Sequence, residues 1–292
     1  MDYSSVIDRL FRPVNPGEAK DRLSSVLAKC PENSNAQVYE RCLSCLDLTL
    51  LTPLDSAESV TAFAGKAAAF NRHYPHLSNV ATVCVWPQYV DAAGLALGES
   101  EIGIAAVGAG FPASKTFLEV KMLECAMAEE SGADEIDVVL NLGLYMDRNY
   151  EAAAGEIGMI SRELGTDTML KVIIESGLLP TPEDVRKAAV LAMAGGADMV
   201  KTSTGKQGTG ATPEAALVIC EAIRDYFEYS GRRVGFKAAG GVRTAEDAVI
   251  YYTIVKEVLG EEWLTPEYFR IGASALANDL LSRLEGKEVV YF

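Results

Sequence analysis

The feature that most constrains this chain is a unit that recurs along most of its length: a short apolar strand, a turn, then an amphipathic helix. Between two of the predicted strands, Val185, Ala188, Ala189 and Ala192 form the i, i+3, i+4, i+7 stripe of a helix that packs on a core. Strands separated by helices pair in parallel, so the repeat indicates an α/β fold. The predicted strands are 44–50, 80–86, 102–107, 135–141, 169–175, 197–203, 233–238 and 268–272.

Two α/β architectures fit this alternation. Eight strand–helix units without a break in composition are typical of a (β/α)8 TIM barrel. A doubly wound sheet is the alternative, and it more often carries a glycine-rich fingerprint after its first strand. The segment LDLTLLTPLDS at 46–56 contains no glycine. We therefore predict a barrel domain over 42–292, preceded by an N-terminal helical extension over 1–41 with two or three short helices.

Several helix starts are marked by a hydroxyl side chain. Thr181, Thr212 and Thr265 each precede a proline, which predicts an N-cap followed by proline at the first helical position. Thr244 and Asp247 have the spacing of a capping box. These positions place helix starts after the fifth, sixth and seventh predicted strands and before the eighth.

The charge and the scarcity of metal ligands exclude some classes of function. A formal net charge of -15 argues against a nucleic-acid surface or a basic membrane patch. No apolar stretch is long enough for a membrane span, and MDYSSVIDRLFRPV lacks the pattern of a secretory signal, so we expect a cytoplasmic protein. His73 and His76, the only histidines, are expected at the surface. Cys42 and Cys45 form an isolated CxxC, which we interpret as buried small side chains rather than as a metal or redox site.

Charged residues lie within or at the end of five apolar strands: Asp47, Asp137, Lys171, Lys201 and Lys237. A single strand-end lysine more often extends its amine into solvent, and any one of these charges is explained by a satisfied ion pair. Groups at the carboxyl ends of different barrel strands, however, converge on one pocket. A buried lysine there has a lowered pKa and is a nucleophile towards carbonyl groups. Spacing alone leaves a catalytic cluster and a set of structural ions about equally supported.

Two glycine-containing loops indicate an anion site. The segment KAAGGVRT, with Gly240 and Gly241, follows the seventh strand, and RIGAS, with Gly272 and Ser274, follows the eighth and opens a helix. Loops at these places in a barrel commonly bind phosphate, helped by backbone N–H groups and a helix N-terminus. Each loop alone is explained by a tight turn. Together, and with Lys206 nearby, they favour a phosphate site.

The ordered set of motifs resembles the deoxyribose-phosphate aldolases, which are class I aldolases. The segments LDLTLL, VCVWPQYV, GADEIDVV, LKVIIESG, VKTSTGK, GFKAAGGVRTAEDA and RIGAS occur in that family's order from about residue 42 onwards. The resemblance implies a TIM barrel that reversibly cleaves 2-deoxy-D-ribose 5-phosphate to acetaldehyde and D-glyceraldehyde 3-phosphate. It also implies a lysine Schiff base, no metal and no organic cofactor.

The resemblance further implies roles for individual residues. Lys201 corresponds to the Schiff-base lysine, Lys237 to the neighbouring cation that lowers its pKa, and Asp137 with Lys171 to the proton relay. Tyr291 corresponds to a tail tyrosine that reaches the active site, although here Phe292 follows it. The implied substrate-binding residues are Asp47, Thr49, Cys84, Thr204, Lys206, Gly240, Gly241, Gly272 and Ser274.

Two departures and two other functions stay open at this point. Ala275 stands where the family often has a serine, and Ala238 where it often has a proline. One other function is a related Schiff-base lyase acting on another phosphorylated aldehyde. The second is a barrel that serves mainly as a protein-interaction partner with weak catalysis. The expected partners are small molecules, with neither nucleic acid nor membrane, and a homodimer is left open.

Overall fold

Eight parallel strands form a closed barrel in the computed structural model, which describes residues 3–292. Each strand pairs with the next in sequence, and β8 pairs with β1. The predicted (β/α)8 TIM barrel is therefore confirmed. The strands are β1 Leu46–Thr49, β2 Thr82–Val85, β3 Gly103–Gly108, β4 Glu135–Val139, β5 Met169–Ile173, β6 Met199–Lys201, β7 Gly235–Ala239 and β8 Phe269–Gly272.

Helices surround the barrel and precede it. They are α1 Tyr3–Leu10, α2 Pro16–Leu27, α3 Cys30–Asn33, α4 Ala36–Ser44, α5 Ala57–Ala68, α6 Phe70–His73, α7 Val90–Leu97, α8 Leu118–Glu130, α9 Leu142–Met146, α10 Tyr150–Glu163, α11 Pro182–Gly195, α12 Pro213–Ser230, α13 Ala245–Leu259 and α14 Ala275–Glu285. Short 3₁₀ turns lie at Pro87–Tyr89, Ser176–Leu178 and Glu261–Trp263.

Most of the predicted helix starts are confirmed. The side chains of Thr181 and Thr212 each accept a backbone N–H at 3.1 Å and begin α11 and α12. Thr244 and Asp247 form the capping box of α13. The helix predicted after Thr265 is wrong. The carbonyl of Thr265 instead accepts the N–H groups of residues 268 and 269 in a turn, because β8 begins too soon for a helix.

The N-terminal helices α1 to α4 pack on the outer layer of the barrel. Leu10 and Leu23 are buried in the main core, and Arg22 makes two hydrogen bonds to Glu221 of α12, at 2.7 and 3.0 Å. The predicted boundary between residues 41 and 42 falls inside α4, and residues 1 and 2 lie outside the described part. The division into a 1–41 extension and a 42–292 domain stays a prediction.

Side-chain alternation along the strands separates two cores. Ile136, Val138 and Val200 face the helices and belong to the large core between the strands and the helical layer. A separate, smaller apolar cluster in the barrel interior is formed by Leu51, Cys84, Ala105 and Val107. Charged side chains occupy much of the remaining interior. Within residues 3–292, no helix is both long and apolar enough to cross a membrane.

Candidate active site

Asp137 lies at the centre of the charged interior. Its Oδ2 atom accepts hydrogen bonds from Nζ of Lys201 and from Nζ of Lys237, both at 2.7 Å. Its Oδ1 atom accepts one from Nζ of Lys171 at 3.1 Å. The residues come from β4, β5, β6 and β7, and the barrel register places Asp137 beside Lys171 and Lys201 beside Lys237. The structure thus brings together four of the five residues predicted to be catalytic.

A second group of charges adjoins this one within the barrel. The guanidinium of Arg270 donates to Asp47 at 2.6 Å and to both oxygens of Glu135, at 2.6 and 3.2 Å. Asp47 lies 3.6 Å from Nζ of Lys171 and also contacts the amine of Lys237. Glu135 contacts Lys171 as well. Arg270, which opens the RIGAS motif and had no predicted role, therefore belongs to β8 and to the buried network.

Burial and neighbouring charges act differently on the three lysines. Burial lowers the pKa of Lys201, and the positive charge of Lys237 lowers it further. These two effects together outweigh the attraction of Asp137, which acts to raise that pKa. Burial acts in the same direction on Lys237 and Lys171, but their carboxylate contacts leave the pKa of each raised. Burial alone would raise the pKa of Asp137, yet the three lysines hold it well below its ordinary value. Lys201 is thus the lysine of the group that gives up its proton most easily.

A cavity of about 270 Å³ opens above Lys201. Its walls come from the ends of β1, β6, β7 and β8 and the loops that follow them. Of the predicted binding residues, it is lined by Thr49, Thr204, Lys206, Gly240, Gly241, Gly272 and Ser274. The structure therefore brings the two glycine-containing loops and Lys206 to one pocket with Lys201.

Backbone geometry explains why glycines form this wall. Gly240 and Gly241 have φ values of +88° and +85°, in the left-handed region that favours glycine. At Gly272, an added Cβ would lie 3.2 Å from Cε of Lys237, so a side chain there would press on the buried amine. The N-terminus of α14 begins one residue beyond Ser274, whose Oγ donates to the carbonyl of Thr49 at 2.7 Å. The wall therefore combines close backbone approach with a helix N-terminus.

The other predicted binding residues lie deeper in the barrel. Asp47 is fully buried and held by ion pairs, and it does not line the cavity. Cys84 lies beside Thr49 in the register of β1 and β2 and is also buried. Burial, with a smaller effect of Asp137, raises the pKa of the Cys84 thiol to about 11, which keeps the thiol neutral at pH 7. The two cysteines of the CxxC, Cys42 and Cys45, are buried as expected.

Glu175 is a site residue for which the sequence had assigned no role. Its carboxylate accepts the backbone N–H of Thr204 at 3.2 Å and the Thr204 hydroxyl at 2.5 Å. The Thr204 hydroxyl oxygen in turn accepts the N–H of Lys206 at 3.0 Å. Glu175 therefore orders the turn that carries Lys206. Its position in LKVIIESG, two residues after an inward-facing strand residue, was a usable signal. Glu175 also borders a second, more apolar cavity of about 410 Å³.

The structure does not bring Tyr291 to this cluster. The Tyr291 hydroxyl donates to the carbonyl of Lys66 in α5 at 2.8 Å, and its ring packs against Phe70 in the outer layer. The backbone N–H groups of Tyr291 and Phe292 donate to Asn278 of α14, each at 2.8 Å. The C-terminal tail is thus docked between α5 and α14. The catalytic role of Tyr291 stays a prediction, which this conformation does not support.

Across 3–292, no group of three or more His, Cys, Asp or Glu side chains is arranged to hold a metal ion. His73 and His76 are exposed, as expected, and His76 lies 2.9 Å from Glu285. The buried carboxylates Asp47 and Asp137 already face lysine and arginine side chains.

Comparisons with known proteins agree with this architecture. The profile of the DeoC/LacD family aldolase matches residues 46–281. A Bos taurus protein named deoxyribose-phosphate aldolase is 40% identical over 280 residues, which cover 91% of this chain and 87% of the relative.

Solved structures of similar fold agree with the barrel architecture as well. The crystal structure of a putative deoxyribose-phosphate aldolase from Coccidioides immitis has a TM-score of 0.69 and 28% identity, covering 91% of this chain and 97% of that one. The structure described as a unique tetrameric deoxyribose phosphate aldolase from Aeropyrum pernix has a TM-score of 0.68 and 25% identity, covering 88% and 96%. With a family profile that spans all eight strands and a relative this similar over most of both chains, the protein belongs to the DeoC/LacD family of aldolases.

Proposed function

We propose that this aldolase reversibly cleaves 2-deoxy-D-ribose 5-phosphate to acetaldehyde and D-glyceraldehyde 3-phosphate through an imine on Lys201. The names of its relatives support the substrate. The observation that carries the proposal is the position of Lys201. Its amine is buried, shares one carboxylate oxygen with a second lysine, and lies at a cavity walled by glycines and Lys206.

The reaction begins with attack by the neutral amine of Lys201 on the aldehyde carbon of the open-chain sugar. An unperturbed lysine, with a pKa of about 10.4, is neutral in well under one part in a thousand at pH 7. Burial and Lys237 lower the pKa of Lys201 and so increase the neutral fraction. Loss of water from the resulting carbinolamine leaves a protonated imine, which withdraws electrons from the neighbouring bonds.

Cleavage follows when a base removes the proton of the C3 hydroxyl. The bond between C2 and C3 breaks, its electron pair forms an enamine, and D-glyceraldehyde 3-phosphate is released. Protonation of the enamine at C2 and hydrolysis of the imine give acetaldehyde and free Lys201. Asp137 contacts Lys171 as well as Lys201, which supports a role for Asp137, with a water molecule, in moving these protons.

The phosphate group binds, in this proposal, to the loops after β7 and β8 together with Lys206. Gly240, Gly241 and Gly272 allow close approach of backbone N–H groups, and Lys206 supplies a positive charge at the same cavity. Binding the phosphate away from the reacting carbon orients the aldehyde towards Lys201. Thr49, Thr204 and Ser274 line the same cavity and complete the proposed binding set. Asp47 and Cys84 belong to it as buried residues that do not line the cavity.

Other parts of the assignment belong to the same proposal. The free cysteines favour a reducing compartment, which supports the cytoplasm.

A homodimer is supported by exposed apolar side chains along one region of the surface, Phe117, Val120, Leu123 and Met127. Sedimentation of the purified protein would test it, and a monomer at micromolar concentration would contradict it.

Borohydride trapping tests the central proposal. Deoxyribose 5-phosphate and borohydride are added together, and mass mapping of tryptic peptides identifies the modified lysine. We expect one reduced adduct on Lys201, absent in Lys201→Met and retained in the control Lys187→Met on the outer face of α11. An adduct confined to Lys171 or Lys237 would contradict the assignment.

Substrate profiling separates this function from a Schiff-base lyase for another phosphorylated aldehyde. Trapping at Lys201 combined with faster turnover of a different phosphorylated aldehyde would support that alternative. Trapping without measurable turnover of any sugar phosphate would support the interaction-partner hypothesis.

A further inference from the structure

The ion pairs inside the barrel form one connected network with unequal numbers of the two charges. Four of its members are cations and three are carboxylates, and all are buried. They are Lys171, Lys201, Lys237 and Arg270, and Asp47, Glu135 and Asp137. A buried network is least costly when its charges cancel, because an uncompensated charge away from water is strongly destabilising. This network balances when one of the four bases is neutral.

The ion-pair contacts of the four bases indicate which of them is the neutral one. Lys171 lies within 4 Å of three carboxylates, and Lys237 and Arg270 of two each. Lys201 contacts only Asp137. Arginine does not lose its proton in proteins, so Arg270 is a permanent cation. The least tightly held proton in the network therefore belongs to Lys201.

We propose that Arg270 and Glu135 are positioning residues that set the net charge of this network and so keep Lys201 as its neutral amine. Neither residue lines the cavity above Lys201. The inference rests on the proposed function only in that Lys201 is the reacting lysine. It adds that the reactivity of Lys201 depends on an ion pair at the opposite side of the network, on β4 and β8.

The mechanism is a balance of charge. Arg270, Lys171 and Lys237 together carry three positive charges, which cancel those of Asp47, Glu135 and Asp137 without a charge on Lys201. Without Arg270, the remaining network carries one uncancelled negative charge, and a proton on Lys201 restores the balance. Without the charge of Glu135, the network carries an uncancelled positive charge, and Lys201 loses its proton more easily. The two changes act in opposite directions through the same balance.

The remaining groups around Lys201 do not alter the comparison of the Arg270 and Glu135 variants with the wild type. On β2 the Cys84 thiol is neutral, and β3 contributes apolar Ala105 and Val107. At the mouth, the buried carboxylate of Glu175 is hydrogen-bonded to Thr204 and interacts with the charge of Lys201 from beyond ion-pair distance. The nearby exposed cations are Lys206 and Arg243, which water and salt screen. These groups are the same in every variant compared.

The test measures the charge of the Lys201 amine directly. Acetylacetone, a 1,3-diketone, condenses with a neutral amine to an absorbing enaminone, and mass mapping identifies the product on Lys201. The rate is recorded against pH, which gives the pH at which half of the amine is neutral. The variants are Arg270→Met, Glu135→Gln and the double variant. Because the probe requires neither the sugar nor turnover, failure of the proposed function and failure of this inference are distinguishable.

We expect the midpoint of Arg270→Met to rise by about one pH unit and that of Glu135→Gln to fall by about one unit. This is the size of the Coulomb effect for charges roughly 10 Å apart at an effective dielectric constant of about 20. The double variant, in which the charge is balanced again, is expected within about 0.3 unit of the wild type. Arg270→Lys, which keeps the charge, is expected to restore most of the wild-type midpoint.

Arg186→Met is the matched control. Arg186 is a buried arginine with an ion pair of 2.6 Å to Asp225, but it lies between helices outside the barrel. We expect this variant to lose thermal stability without a change in the Lys201 midpoint. If Arg270→Met does not fold, the Lys201 midpoints of Glu135→Gln and of the double variant still test the inference. Unchanged midpoints, or shifts of the same sign in both single variants, would overturn the inference.

Discussion

Lys201 lies directly opposite Lys237 in the register of β6 and β7, and the two amines approach one and the same carboxylate oxygen at 2.7 Å. Two protonated amines at one oxygen repel each other, so one of them is favoured as the neutral form. Lys237 has a further contact with Asp47, which Lys201 lacks. The asymmetry between two otherwise similar lysines thus arises from one additional ion pair.

Removing the charge of Lys237 should shift the pH dependence of the reaction to more alkaline values. Burial and the charge of Lys237 lower the pKa of Lys201, so in Lys237→Met that pKa rises and less neutral amine is present at pH 7. We expect kcat/KM at pH 7 to fall by roughly 10²-fold or more, and to recover partly as the pH is raised towards 10. The measurement is kcat/KM from pH 6 to 10. A uniform loss at every pH would contradict this explanation.

Replacing Lys201 itself should stabilise the protein while abolishing the imine. The pKa of Lys201 is lowered in the folded state, so below the ordinary value of 10.5 the unfolded chain binds more protons and folding is opposed. Lys201→Met removes that cost, so we expect Tm at pH 7 to rise by a few degrees. The gain should shrink as the pH approaches 10.5. Thermal denaturation at several pH values tests this, and a lower Tm at pH 7 would contradict it.

The phosphate site predicts a selective effect of Lys206. In Lys206→Met we expect kcat/KM for deoxyribose 5-phosphate to fall by about 10- to 100-fold, because one cation of the proposed site is lost. Unphosphorylated deoxyribose should react much more slowly with the wild type, and Lys206→Met should change that slow rate little. Steady-state kinetics with both sugars is the measurement. Equal efficiency of the wild type on the two sugars would rule out the site.

Gly241 offers a test of the glycine wall with a matched control. Gly241→Val places a side chain in open space at the cavity and strains a backbone with φ of +85°. Gly231, at the end of α12, has φ of +72° and also has open space around its Cβ position. Both valine variants should lose about 1–3 kcal/mol of stability, but only Gly241→Val should raise KM for the phosphorylated sugar. A similar rise in both would show that strain alone is responsible.

The docked tail changes what we expect from its removal. The resemblance predicts that deleting Tyr291 and Phe292 slows enamine protonation and leaves stability nearly unchanged. In the structure their rings pack on Phe70, so we expect the deletion to lower Tm by several degrees. Exchange of acetaldehyde methyl protons into deuterated water, compared between full-length and truncated protein, measures the catalytic effect. Unchanged exchange is expected from the docked position, and exchange slowed by 10-fold or more would support the predicted catalytic role.

Patterns among residues close together in the sequence were sufficient to predict much of the fold and of the candidate site. The period of the apolar residues predicted all eight strands to within a few residues, because each strand has to bury apolar side chains against the helices. The sequence also located Asp137, Lys171 and Lys237 within or at the end of apolar strands, whose carboxyl ends converge on one pocket in a barrel. The order of the motifs also indicated the family before any contact was known.

Contacts between distant parts of the chain were not predictable in the same way. Arg270 lies within the predicted eighth strand and had no predicted role, but closure of the barrel places β8 beside β1 and brings its guanidinium to Asp47, 223 residues away in sequence. Likewise, Tyr291 was expected at the active site and packs instead between two outer helices.

The sequence by itself therefore determined the strand–helix repeat, the charges within the strands and the order of the motifs, because these depend on neighbours within a few residues. Tertiary structure alone decided which charges pair and which lysine is least tightly held. That outcome depends on the register of the closed barrel and on burial, through which Lys237 contacts both Asp47 and Asp137 whereas Lys201 contacts only one of them. In a low-dielectric interior, one such contact is enough to distinguish two lysines that look alike in the sequence.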